Sequence, residues 1–218
     1  MSNPVIVVVG AGPGLGAAVA RRFGRQGYDV ALVARSADSL DALGRTLQGE
    51  GITTGWTPVD VTDAAALTEA ITRFGQHAGH IDVLHFNPSA FRQKNPLELT
   101  ADELLEDVRL GTASLLTAVQ AARPFMSAGA RVTATGSMAA DEPWHEAASL
   151  GVQKAGLRNL VRSIDATLSP DGIRAVSVTV NGTLAEGTAF SHDLVADALF
   201  RAAGQPVDGW QAAVTYDG

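Results

Sequence analysis

Short β-branched runs alternate with longer stretches of helical periodicity along the chain. The apolar runs fall at Val5–Val9, Val30–Ala34, Thr53–Pro58, Val83–Phe86, Arg131–Thr135, Ala175–Val180 and Ala212–Thr215, and they predict seven strands. Apolar residues recurring at helical spacing predict helices over about 14–26, 37–49, 63–77, 101–126, 144–168 and 192–203. Strands separated by helices of this length need crossover connections, which are right-handed and give a parallel sheet covered on both faces. The strands are apolar throughout rather than alternating, as two covered faces require. The expectation is one α/β domain over residues 1–218, three-layered, with a doubly wound, mostly parallel seven-stranded sheet. In the 144–168 segment Val152, Ala155, Leu157, Leu160, Val161, Ile164 and Leu168 form a core-facing stripe, with Arg158, Arg162 and Asp165 off it.

Composition narrows the function classes. The net charge of −7 argues against a sequence-independent grip on nucleic acid, which needs a basic surface. No apolar run approaches the ~18 residues of a membrane span, so no membrane partner is expected. There is no cysteine, which removes thiolate nucleophiles, disulfides and Cys-based zinc sites. His77 and His80 lack accompanying carboxylates, so no metal site is expected. The first strand begins directly after Met1-Ser2-Asn3-Pro4 without a basic leader, and the expected location is cytoplasmic.

Directly after the first strand comes Gly10-Ala11-Gly12-Pro13-Gly14-Leu15-Gly16, opening a helix. A strand, a glycine turn and a helix N-terminus make a phosphate site, the mark of a Rossmann fold: glycine permits close backbone approach, and free N–H groups face the anion. Two registers compete, Gly10/Gly14/Gly16 and Gly12/Gly14/Ala17; the first is favoured because its leading glycine follows the strand at once. The second strand ends in Ala34-Arg35-Ser36 where an acid would hold an unphosphorylated ribose. Arg35 and Ser36 suit a 2′-phosphate, so NADP(H) is favoured over NAD(H).

These residues together resemble the short-chain dehydrogenase/reductase family over nearly the whole chain. Asp60-Val61 matches the family's adenine-contacting pair, and Asn87 is the survivor of its Asn-Asn-Ala-Gly segment. Asn181-Gly182 falls where a Pro-Gly pair closes the nicotinamide side, and Glu186 stands where threonine is expected. The resemblance implies a cofactor site of Gly10, Gly12, Gly14, Leu15, Gly16, Arg35, Ser36, Asp60, Val61, Asn87, Lys154 and Gly182.

The family's chemistry uses a tyrosine acid/base, a lysine four residues on, a serine thirteen before the tyrosine, and an asparagine on an earlier helix. Lys154 fits the lysine and Ser137 the serine, but Leu150 replaces the tyrosine and Arg109 the asparagine. The only tyrosines, Tyr28 and Tyr216, are four residues from no lysine. The proton source is then solvent water or His145, in the turn before the Lys154 helix. The catalytic set is Ser137, Lys154, Arg109 and His145, and if Arg109 neighbours Lys154 the pocket attracts an anion.

Three readings follow: an atypical NADP(H)-dependent oxidoreductase on a small carbonyl, imine or alcohol; an NADP(H)-binding protein without turnover; or a non-redox lyase or isomerase on an anionic substrate. The resemblance also implies a homodimer or homotetramer packed through the 101–126 and 144–168 helices, with Leu115, Leu116 and Val119 as contact residues. Only residues 183–191 separate Gly182 from the last helix, so the substrate lid is short.

Overall fold

The computed structural model describes residues 2–218. Seven strands, β1 (Val5–Val9), β2 (Asp29–Ala34), β3 (Thr54–Pro58), β4 (Val83–Phe86), β5 (Arg131–Ser137), β6 (Arg174–Val180) and β7 (Ala213–Tyr216), form one sheet in the order 3-2-1-4-5-6-7. Every pair is parallel, so the sheet is wholly rather than mostly parallel. Its helices are α1 (Leu15–Gly24), α2 (Ala37–Gly49), α3 (Ala64–Ala78), α4 (Ala101–Val108), α5 (Ser114–Ala122), α6 (Ala148–Leu168) and α7 (His192–Ala203).

Two apolar layers flank the sheet. On one side Leu67, Ile71, Leu115, Leu157 and Val161 of α3, α5 and α6 pack on Val7, Leu84 and Phe86. On the other, Leu15, Val19, Leu40, Val195 and Leu199 of α1, α2 and α7 pack on Ile6, Val8 and Leu32. Each fully buried side chain of this size contributes about 1.5–3 kcal/mol relative to exposure. Side-chain caps fix helix starts: Ser36 accepts from Ser39 N–H, Asp63 from Ala66 N–H, and Thr100 with Glu103 forms a reciprocal capping box.

Four expectations are corrected. The 101–126 helix is broken by a π-helical turn at Arg109–Ala113 before α5 begins. Leu115 and Val119 face the sheet and are buried, leaving only Leu116 of the three exposed for contact with another copy. Val152 is half exposed although it lies on the periodic stripe. Asp165, off the stripe, is buried: its carboxylate accepts from Arg174 Nε at 2.9 Å, Arg174 NH2 at 2.7 Å and Ala175 N–H at 2.8 Å, tying α6 to the start of β6.

Candidate active site

The strand order reverses between β1 and β4, and ligands of open parallel sheets bind beyond the carboxyl ends of the strands at such a point. Gly10 follows β1 there with φ +86°, a conformation that only glycine adopts without strain. A Cβ on Gly10 would stand 2.9 Å from Pro88 Cδ, and one on Gly16 only 2.5 Å from the Gly10 carbonyl oxygen. A Cβ on Gly14 would meet the His192 ring at 3.0 Å, whereas Gly12 faces open space. The steric demand therefore falls on Gly10, Gly14 and Gly16, in the favoured register. Helix α1 starts without a side-chain cap; Ala17 N–H donates to the Gly12 carbonyl at 2.9 Å, and the Leu15 and Gly16 N–H groups have no partner among the described residues.

A cleft of about 400 Å³ opens beside this turn, lined by Gly10, Gly12, Arg35, Ser36, Ser39, Asp60, Val61 and Asn87 among others. Seven residues picked from the sequence thus converge, though they come from four separate strand ends. A larger concavity of about 820 Å³ lies at the opposite end, around Asn3, Asp29 and Thr53. It sits at the amino ends of the strands, far from the glycine turn.

At the cleft's outer end Arg35 is exposed and forms no ion pair or side-chain hydrogen bond among the described residues. Ser36 caps α2, and its hydroxyl donates to Ser39 Oγ at 3.1 Å. Ser39 was not singled out from the sequence; the three-residue spacing from a helix cap is the signal that points to it. Asp60 accepts from Thr62 N–H at 2.9 Å and Thr62 Oγ1 at 2.7 Å, which holds its carboxyl below the ordinary range, with help from Arg35.

A hydrogen-bonded chain runs inward from the glycine turn. Asn87 Nδ2 donates to the Gly10 carbonyl at 3.1 Å, Thr135 Oγ1 donates to Asn87 Oδ1 at 2.9 Å, and Lys154 Nζ donates to the Thr135 carbonyl at 2.9 Å. Lys154 is buried, and burial pulls its ammonium down to about 8. One of its three donors is used, which leaves two to meet a ligand hydroxyl. Ser137, at the end of β5, accepts from Ala139 N–H at 3.2 Å. Leu150 lies one helical turn before Lys154, half-buried, on the same side of α6.

Gln153, buried between them, bonds the Ala90 backbone twice, Oε1 accepting at 3.0 Å and Nε2 donating at 2.9 Å. A Cβ on Gly111 would fall 2.0 Å from its Oε1, so glycine is needed where the π-helical turn meets this amide. Below, Asp107 accepts from Ser149 Oγ at 2.6 Å and from both Arg92 Nε and NH2, pinning the loop after β4 to α4 and α6.

Several expected residues stand apart. Arg109 begins the π-helical turn with its side chain exposed, and the lowered Lys154 pKa owes nothing to it; the expected cationic pair does not form. His145 is exposed in the turn before α6, without a hydrogen-bond partner among the described residues. Leu15 is buried in the core beneath α1 and reaches the site only through its backbone. Gly182 is covered by the Phe190 ring, 2.5 Å from where its Cβ would be, so its first requirement is packing.

A description of the short chain dehydrogenase family matches residues 4–195, and the chain belongs to that family, whose members use NAD(P)(H). It is 30% identical over 178 residues to cis-4-hydroxycyclohexanecarboxylate dehydrogenase of Sinomonas cyclohexanicum, covering 80% of this chain and 71% of that one. An uncharacterized oxidoreductase of Staphylococcus epidermidis is 24% identical over 217 residues, covering 94% and 93% of the two chains. Among solved structures, a double mutant of a Serratia marcescens short-chain dehydrogenase/reductase superposes with a TM-score of 0.89 at 26% identity, covering 100% of this chain and 97% of that one. A metagenomic short-chain oxidoreductase in complex with NADP shares the fold at a TM-score of 0.88 and 23% identity, covering 99% and 97%.

Proposed function

We propose that this chain is an NADP(H)-dependent oxidoreductase of a small carbonyl, imine or alcohol, in which water rather than tyrosine supplies the proton. The observation that carries it is the cleft that joins the glycine turn at Gly10 and Gly12 to Arg35, Ser36 and Ser39. The residues fit the dinucleotide. Gly10 and Gly16 allow the turn to pack as tightly as it does, Gly12 faces open space on the cleft, and the exposed guanidinium with two hydroxyls at the α2 start suits a 2′-phosphate. When bound, NADP(H) supplies hydride transfer at its nicotinamide ring. This chain's part is to orient it: Lys154 holds ribose hydroxyls, Asn87 braces the glycine turn, and Ser137 orients the substrate oxygen. Arg109 is exposed on the π-helical turn, which weighs against a lyase or isomerase that would use it with Ser137 and Lys154 on an anionic substrate. A second reading, binding without turnover, is favoured by one feature: Leu150 puts no proton donor on the turn of α6 before Lys154.

Titration of wild type and Arg35→Ala with NADPH and NADH tests the cofactor reading. The charge-assisted contact is expected to favour NADPH by about ten- to a hundredfold, and Arg35→Ala to lose that preference while keeping NADH affinity. Equal affinities in wild type would count against it. A nicotinamide-absorbance screen with carbonyl and imine panels then separates turnover from binding alone.

Lys154 adds a pH signature. Its ammonium is charged below about 8 and loses its proton above, so its donors to the ribose weaken as pH rises through that value. NADPH affinity is expected to fall there in wild type and to be weaker and flat across that range in Lys154→Ala. Unchanged binding by Lys154→Ala would remove this lysine from the site.

A further inference from the structure

The segment between β6 and α7 carries a charged pair that the cofactor reading leaves unused. His192 opens α7, and its Nδ1 lies 2.5 Å from Glu186 Oε1. Its other ring nitrogen, Nε2, stands 3.0 Å from the point to which a Cβ on Gly14 would project, directly over the N-cap of α1. The segment that carries Glu186 is tied down by its own bonds. Tyr216 OH donates to the Ala189 carbonyl at 2.7 Å, Phe190 packs edge-on against Tyr216, and Thr188 Oγ1 donates to the Ala185 carbonyl at 2.8 Å.

A carboxylate beside Nδ1 keeps a proton on that nitrogen, so the state of Nε2 decides what the ring offers to Gly14. Neutral, Nε2 is an acceptor; protonated, it is a charged donor. An anion lying over the glycine turn would pair with the charged donor. Most other charged groups on α1 and α7 are engaged elsewhere, and Arg201, near the far end of α7, is exposed without an ion pair among the described residues. Arg21 pairs with Glu50 at 2.8 Å, Arg22 pairs with Asp197, and the Asp193 carboxylate acts on Arg21.

We propose that His192, held by Glu186, is a ligand for the pyrophosphate of the bound dinucleotide and binds it in its protonated form. This rests on the cofactor reading above and adds a proton-linked contact on the far side of the glycine turn from Arg35. Glu186 stands where the family resemblance expects a threonine, so the contact is a property of this chain's own residues.

The test titrates wild type, His192→Ala and Glu186→Gln with NADP⁺ and with adenosine 2′-monophosphate, which lacks the pyrophosphate, at about pH 5.5 and about pH 8. The ratio of variant to wild-type dissociation constants cancels the titration of the ligand's own 2′-phosphate and of Lys154. For NADP⁺ and His192→Ala that ratio is expected to be about ten at the lower pH and to approach one at the higher, as a charged donor to phosphate requires. Wild type should take up a proton on binding near neutral pH, read from calorimetry in buffers of different ionisation enthalpy, and His192→Ala should not. Glu186→Gln should move the midpoint of this dependence to lower pH. Adenosine 2′-monophosphate should bind all three proteins alike. If wild type binds neither ligand, the cofactor reading falls and this proposal with it. If wild type binds both but the NADP⁺ ratio is independent of pH, or Glu186→Gln leaves the midpoint in place, the proposal alone is overturned. Equal loss of both ligands in His192→Ala would make the ring a prop for the turn and would also overturn it.

Discussion

Leu150→Tyr is expected to raise reductase turnover on simple activated carbonyls by about 10²- to 10⁴-fold, the range that a positioned acid contributes. Residue 150 lies one turn before Lys154 on α6, so a phenol there shares the lysine's side of the helix. Lys154, already drawn down to about 8 by burial, would lower the phenol's pKa when protonated and bring it toward the working range. Ser137, at the end of β5, is the residue proposed above to orient the same oxygen. The measurement is NADPH consumption at fixed cofactor saturation, with KM followed separately: a gain confined to kcat identifies the new proton donor. If Leu150→Tyr binds NADPH normally and gains nothing while wild type already turns over well, the acid lies elsewhere, and His145→Ala is the next variant to compare.

The second large effect concerns stability in acid. His85 lies fully buried in β4, with Nδ1 2.9 Å from Thr133 Oγ1 and Nε2 without a partner among the described residues. Burial, aided by the charge on Lys154, pushes this imidazole from its ordinary 6.5 down to about 3. Between those values the unfolded chain binds a proton that the native protein does not. Stability from this group is therefore intact above 6.5 and is lost as pH falls, by about 1.4 kcal/mol per unit. Unfolding free energies of wild type from urea titrations at about pH 7 and about pH 5 should differ by roughly 2 kcal/mol on this account. In His85→Phe, which has no group to titrate there, that part of the difference should vanish. An equal acid loss in both proteins would assign it to other groups.

The layered fold was legible because its signal is local. Continuous apolar runs mark strands covered on both faces, and most predicted ends fall within a residue or two of the observed ones. The glycine turn was legible from its spacing directly after a strand, although only Gly16 meets the turn itself, Gly10 meeting Pro88 and Asn87 and Gly14 meeting His192. What escaped was decided by residues distant in sequence. The break at Arg109–Ala113 belongs with Gly111 meeting Gln153, forty-two positions on (153 minus 111), and the turn leaves Arg109 exposed rather than beside Lys154. Asp165 reads as a surface residue until β6 brings Arg174 and the Ala175 N–H against it. Ser39 and His192 bear on the candidate site only through a helix cap and a helix crossing, neither of which leaves a periodic trace.

The short stretch before α7 has a further consequence for the kinetics of the site. Ala185, Thr188, Phe190 and Ser191 already bond one another, and Tyr216 anchors them to the sheet edge. A floppy flap surrenders conformational entropy each time it folds over a ligand; here that loss occurs once, when the chain folds. On the function proposed above, ligand entry and departure are expected to proceed without a slow gating motion. The same rigidity leaves solvent at the reacting corner. That suits a reaction drawing its proton from water and disfavours any course through a species that water would destroy.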